Sequence, residues 1–117
     1  MINVLFICTA NLDRSPTAEK IFSDVKDWSV KSAGTDPYAI NTITSELIKW
    51  ADKIIVMQNK HMEHILKIDP DCKVKTHVLG IEDRYHRCSG ELIGTLIAKM
   101  SQIFYLDEWI KTKFKCN

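Results

Sequence analysis

Five residues separate Cys8 from Arg14 in the stretch Val4-Leu5-Phe6-Ile7-Cys8-Thr9-Ala10-Asn11-Leu12-Asp13-Arg14-Ser15-Pro16. A cysteine attacks or binds as its thiolate; a free one titrates near ~8.5, and helix N-termini or nearby cations bring that down to about 3.5–7.5. Arginine offers a planar fork that matches two oxygens of a phosphate, which lysine does not. The Ser15 hydroxyl is placed to donate to the Cys8 sulfur, and Asn11 is one of the few non-glycine types that tolerate a left-handed backbone. Cys8 and Arg14 together therefore suit nucleophilic attack on a bound phosphoryl group. The plainer alternative is a small buried cysteine at a strand end and an unrelated surface arginine.

The neighbouring elements favour the chemical reading. Ile2 to Ile7 is a nearly continuous apolar run, as in a strand of a parallel sheet buried on both faces. Ser15 as N-cap and Pro16 as first helical residue predict a helix to about Lys26, with Ala18, Ile21, Phe22 and Val25 on one face. Backbone N–H groups of residues 9–14 and the positive end of that helix then converge, which favours an anion.

Farther along, Trp28 to Lys31 reads as a second strand, ended by a turn at Gly34. Ile40, Ile43, Leu47 and Trp50 have the spacing of a helical stripe. Lys53 to Met57 is a third strand, and Asn59 can cap a helix that carries Met62, Ile65 and Leu66 and stops at Pro70. Lys73 to Leu79 alternates as a fourth strand, residues 80–90 form a polar loop, and a long amphipathic helix runs from Glu91, with Lys111, Lys113 and Lys115 at its C-terminal end. Strands alternating with helices predict an α/β fold: an open four-stranded parallel sheet with helices on both faces. Ligands of such sheets bind beyond the carboxyl ends of the strands, where Cys8 lies.

The run Cys8-Thr9-Ala10-Asn11-Leu12-Asp13-Arg14-Ser15-Pro16-Thr17-Ala18-Glu19 resembles the phosphate loop of the low-molecular-weight protein tyrosine phosphatases, roughly C-x-G-N-x-C-R-S-P-x-A-E. Ser32-Ala33-Gly34-Thr35 and Ile54-Ile55-Val56-Met57 match that family's second and third strand regions in order, so the resemblance covers most of the chain. It implies strand order 2-1-3-4. It also implies a phosphomonoesterase, a protein tyrosine phosphatase, that works through a phosphocysteine without metal or organic cofactor. The implied phosphate-binding residues are Thr9, Ala10, Asn11, Leu12, Asp13, Arg14 and Ser15. Two departures stand out: Ala10 replaces a glycine, and Asp13 replaces the family's second cysteine, so a protective disulfide inside the loop is impossible here. The segment after Gly34 is also short for the family.

A proton donor helps an alkoxide or phenoxide leave. Three acidic places compete: Asp36-Pro37-Tyr38, Asp69-Pro70-Asp71 and Glu82-Asp83. The resemblance puts the family's acid after the fourth strand, which selects Asp83, with Glu82 the alternative. Relatives acting on phosphoarginine typically carry Thr after the loop asparagine; the residue here is Leu12, and Tyr85 is a candidate for an opposing aromatic wall. His61 and His64 have the spacing of one helical face and read as a solvated surface rather than a metal site. Nothing in the sequence places His77 or His86 at the site, and Cys72 and Cys88 read as packing or surface thiols.

Composition bounds the rest. A chain of 117 residues with 45% hydrophobic and 26% charged residues suits one soluble domain, residues 1–117. A net charge of +1 gives no footprint for nucleic acid, and no apolar run has the length that spans a membrane. Ile2 to Ile7 is too short for a signal peptide, so a cytoplasmic protein is expected, with Cys8, Cys72, Cys88 and Cys116 reduced. The expected partner is a phosphorylated protein or peptide. Two other functions share the motif: a phosphate-binding regulatory module without turnover, and an arsenate reductase, which needs further cysteines to pass a disulfide from the nucleophile.

Overall fold

In the computed structural model, residues 1–104 are described; the tail with Lys111, Lys113, Lys115 and Cys116 lies outside them. Four parallel strands, β1 (Ile2–Cys8), β2 (Trp28–Gly34), β3 (Lys53–Val56) and β4 (Thr76–Val78), lie in the order β2-β1-β3-β4. This is the expected order. Helices α1 (Arg14–Phe22), α2 (Ser45–Trp50), α3 (Asn59–Ile68) and α4 (Gly90–Ile103) connect or follow them, with a 3₁₀ turn over Pro70–Lys75. No described helix is long and apolar enough to cross a membrane.

The period of two in β1 divides the core between the sheet's faces. Val4, Phe6 and Cys8 join Ile21 and Phe22 of α1 and Leu92, Leu96 and Met100 of α4. Leu5 and Ile7 join Ile48 of α2, Ile65 of α3 and Cys72. The uninterrupted apolar run of β1 thus serves both layers, and Cys8, last in the strand, belongs to the α1–α4 side.

Four elements differ from expectation. Strand β4 is only Thr76–Val78, because Lys73–Lys75 belong to the 3₁₀ turn that starts at Pro70. Helix α1 begins at Arg14, with Asp13 as N-cap and Ser15 inside the first turn, and it stops at Phe22 rather than Lys26. Ser15 is drawn out of the capping role because its hydroxyl faces the Cys8 sulfur. The Ile40–Trp50 stripe is helical only from Ser45. Before that, the chain is held against the end of β2 by Gly34 N–H to the Asn41 carbonyl and Ile43 N–H to the Gly34 carbonyl. Those bonds leave Ile40 exposed while Ile43 is buried in the α2–α3 core. Finally, α3 is capped by Gln58, not Asn59. Among the cysteines, Cys8 and Cys72 are free and buried, but Cys88 is disulfide-bonded, against the expectation of a reduced thiol.

Candidate active site

Cys8 pairs with Gly34 at the carboxyl end of the β1–β2 ladder, and the loop from Thr9 to Asp13 leaves the sheet there. Its shape is imposed from one side. The carbonyls of Cys8, Thr9 and Ala10 accept from the N–H groups of Thr35, Asp36 and Ile40, at 3.0, 3.0 and 3.4 Å. No peptide among the described residues is cis, and across a trans peptide the next N–H points opposite to the carbonyl. The N–H groups of Thr9, Ala10 and Asn11 therefore point away from residues 35–40. Gly34 makes this approach possible, since a Cβ there would lie 2.4 Å from the Thr9 carbonyl oxygen. Asn11 takes a left-handed backbone, φ +56°, and its Oδ1 accepts from Asn41 N–H at 3.2 Å.

A hydrogen-bond chain runs beneath the sulfur. Cys8 Sγ lies 2.9 Å from Ser15 Oγ, and Asn11 Nδ2 donates to Ser15 Oγ at 2.8 Å and to Ser32 Oγ at 3.0 Å. Ser32 Oγ donates in turn to Glu19 Oε1. With Asn11 donating to it, Ser15 Oγ has one hydrogen to give, to the sulfur or to the more distant Ala33 carbonyl at 3.3 Å.

Arg14 is almost wholly buried, and its guanidinium is fixed along one edge. The NH1 group donates to Gln58 Oε1 at 2.7 Å and to the Ile81 carbonyl at 2.8 Å. The Nε and NH2 edge is left for an anion. NH2 lies 3.4 Å from Thr9 Oγ1, and Nε is 3.8 Å from Asp83 Oδ1. Cys8, Ala10, Leu12, Asp13, Arg14 and Asp83 line one cleft of about 100 Å³. A thiol, a guanidinium with a free edge and an exposed carboxyl group thus share one small cleft.

Asp83 reaches the cleft because the chain continues past β4 along the sheet. Leu79 N–H donates to the Val56 carbonyl and Ile81 N–H to the Met57 carbonyl, with Gly80 between them at φ +76°. The loop is then moored to the start of α1: Asp13 Oδ1 accepts from Arg87 N–H, and Thr17 Oγ1 from Cys88 N–H, both at 3.0 Å. Asp13, where the family pattern has cysteine, ties the loop carrying Asp83 to the cradle.

The other candidates are placed as follows. Glu82 pairs with Arg84 at the surface. Asp36 accepts from Tyr38 N–H in a turn, and Asp69 from Asp71 N–H at the start of the 3₁₀ segment. Tyr85 does not line the cleft: it is half-buried against the α1–α4 core, and its ring lies under the Arg84 guanidinium. The aromatic wall expected of it is absent because its ring is held by those contacts. His77 packs on Phe104, and His86 is exposed. His64 is exposed as expected, but His61 is fully buried, which corrects its reading as a solvated residue.

His61 is the residue that the sequence reading missed. As third residue of α3 it accepts Gln58 N–H at Nδ1, at 3.0 Å, while its Nε2 lies 2.9 Å from Thr9 Oγ1. Burial first, then the Arg14 guanidinium, lowers its pKa to about 4, so the ring is neutral at physiological pH. The available signal was positional: a polar side chain three residues into a helix that starts at the strands' carboxyl edge caps it and faces the site.

Known proteins carry a similar fold. Residues 3–49 match the sequence profile described as low molecular weight phosphotyrosine protein phosphatase. The low molecular weight protein-tyrosine-phosphatase Wzb of Escherichia coli K12 is 28% identical, with 67% of this chain and 69% of that protein covered. The low molecular weight protein tyrosine phosphatase of T. tengcongensis superposes with TM-score 0.66 and 26% identity, over 89% of this chain and all of that one. YwlE arginine phosphatase from Geobacillus stearothermophilus superposes with TM-score 0.67 and 20% identity, over 99% of this chain and all of that one, a likeness of fold. Over residues 3–49 the chain is thus similar to the low molecular weight phosphotyrosine protein phosphatases, and its fold is like theirs.

Proposed function

We propose that the chain is a phosphomonoesterase that hydrolyses phosphotyrosine on protein through a phosphocysteine at Cys8. The observation that carries this reading is the shared cleft: the Cys8 sulfur, the free edge of Arg14 and the Asp83 carboxyl group border the same 100 Å³. Arg14 and the N–H groups of residues 9–14 hold the non-bridging oxygens and stabilise the charge of the transition state. The Cys8 thiolate attacks phosphorus in line, an S–P bond forms as the ester P–O bond breaks, and Asp83 gives its proton to the departing phenoxide. Water then attacks phosphorus, Asp83 takes its proton, and the S–P bond breaks to release phosphate and the thiolate. The names of the relatives support phosphotyrosine as substrate.

This chemistry needs Cys8 as a thiol, and it is free although Cys88 is disulfide-bonded. Arsenate reduction fits less well: Asp13 removes the loop thiol, and Cys72 packs with the α2–α3 core on the other side of the sheet from Cys8. Turnover of p-nitrophenyl phosphate by the full chain, abolished in Cys8→Ser, is the expected result. Phosphate binding without turnover would replace this reading by that of a phosphate-binding module.

A further inference from the structure

The hydrogen-bond arithmetic at Thr9 assigns its side chain a use beyond shaping the loop. His61 Nδ1 accepts Gln58 N–H, so in the neutral ring Nε2 carries the hydrogen and donates it to Thr9 Oγ1 at 2.9 Å. Arg14 NH2 approaches the same oxygen at 3.4 Å as a second donor. A hydroxyl oxygen has two lone pairs and one hydrogen. Both lone pairs face donors, so the Thr9 hydrogen points elsewhere, and no acceptor for it is found among the described residues. Arg14 NH2, which touches this oxygen, belongs to the guanidinium edge that NH1's contacts with Gln58 and Ile81 leave open for an anion. Thr9 is not among the residues that line the cleft; its hydroxyl is joined to it through Arg14 NH2, on the guanidinium edge away from Gln58 and Ile81.

We propose that the Thr9 hydroxyl donates to an oxygen of the bound phosphoryl group, and that His61 is the positioning residue that turns its hydrogen there. This deepens the phosphatase reading, since it names a side-chain donor at the same site, and it requires only that an oxyanion bind. Neutral His61 suits the role. A doubly protonated ring would bring a donor at Nδ1 against Gln58 N–H, and burial beside Arg14 disfavours that form. Gln58 couples the two halves of the arrangement, because its backbone N–H fixes the His61 tautomer while its Oε1 holds Arg14.

The test is calorimetric titration of the full chain with inorganic phosphate. Thr9→Val, which keeps the shape and removes the hydroxyl, should weaken binding roughly tenfold or more, the usual size for a hydrogen bond to a charged group. Thr9→Ser should restore it. His61→Gln should weaken binding several-fold in the wild-type background and add nothing in the Thr9→Val background. Unchanged affinity in Thr9→Val overturns the donor assignment. Equal losses from His61→Gln in both backgrounds, with a matching fall in melting temperature, make His61 a structural residue and overturn its positioning role. A wild type that binds phosphate but turns over no p-nitrophenyl phosphate removes the enzymatic reading and leaves this one standing. A wild type that does not bind phosphate removes both.

Discussion

The Ser15 hydroxyl lies 2.9 Å from the Cys8 sulfur, and Asn11 donates to that hydroxyl from the other side. Asn11 is itself aligned by Ser32, whose hydroxyl donates to Glu19. Each member of this chain fixes the direction of the next, so the carboxylate at one end turns a hydrogen toward sulfur at the other. Removing that donor by Ser15→Ala should slow alkylation of Cys8 by iodoacetate at neutral pH by roughly tenfold, as expected for a lost hydrogen bond to a charged atom. In the wild type, Cys8 should react much faster than Cys72, whose thiol is buried and has its pKa pushed up by that burial. Phosphate should protect Cys8. Equal labelling of the two thiols contradicts this picture.

Arg14→Lys keeps the charge and loses the geometry. NH1 holds Gln58 Oε1 and the Ile81 carbonyl while the opposite edge remains open, a division that a single ammonium cannot reproduce. The variant should lose on the order of 10²-fold or more in kcat/KM, the range for removing one fixed donor from a developing charge. Weakened phosphate binding by calorimetry should accompany the loss. Near-normal kinetics would show that charge alone suffices.

Asp83 lies 3.8 Å from Arg14 Nε and faces solvent on its other side. In the proposed mechanism it protonates the leaving oxygen, so it should matter most for substrates whose leaving groups are basic. Asp83→Asn should reduce kcat by on the order of 10²–10⁴-fold for phenyl phosphate and far less for p-nitrophenyl phosphate. Glu82→Gln should have little effect, since Glu82 pairs with Arg84 at the surface. The reverse pattern assigns the proton to Glu82.

Much of this architecture can be read from apolar patterning and loop chemistry. The continuous run of β1 signals a strand buried on both faces, and the cysteine at its end marks the edge where ligands bind. Ile40 and Ile43 fall on the stripe of α2, whereas backbone bonds to Gly34 hold Asn41 and Ile43 against the end of β2, outside the helix. That is a tertiary contact, and periodicity carries no trace of it. Ser15 looked like a cap because Ser-Pro usually starts a helix; the nearby thiol claims its hydroxyl instead. His61 sits among the exposed Lys60, Glu63 and His64, and only the meeting of α3 with the cradle buries it.

The buried His61 makes stability depend on pH in a defined window. Its folded pKa of about 4 lies below the ordinary value of 6.5, through burial and the charges of Arg14, Lys60 and His64, with Asp83 acting in the opposite sense. Between these values the unfolded chain binds a proton that the folded chain refuses. The native state therefore keeps its full stability above pH 6.5 and loses it progressively down to pH 4, by up to about 3 kcal/mol. His61→Gln cannot titrate. The difference in urea midpoint between wild type and variant should shrink or reverse on acidification through that window, and a difference independent of pH would refute the assignment.

Leu12 sets the final expectation, which concerns the substrate. Its side chain is half exposed and lines the cleft beside Ala10, so the rim at this point is apolar. Such a surface suits the face of a phenyl ring and gives a phosphoarginine guanidinium no acceptor. Tyr85 is held between the α1–α4 core and the Arg84 guanidinium and does not line the cleft; Tyr38, almost fully exposed, stands on the segment whose backbone is bonded to Thr9 and Ala10. A polar ligand group left without its hydrogen bond typically costs about 1–3 kcal/mol, or roughly five- to 150-fold in kcat/KM. Phosphotyrosine peptides should accordingly be hydrolysed well, and matched phosphoarginine and phosphoserine peptides poorly. Leu12→Thr should narrow the gap toward phosphoarginine while leaving phosphoserine poor, because a hydroxyl at the rim supplies an acceptor without shortening the reach to the sulfur. Side-by-side kcat/KM values on the three peptides decide the matter, and a wild-type preference for phosphoarginine would mean that recognition lies outside Leu12.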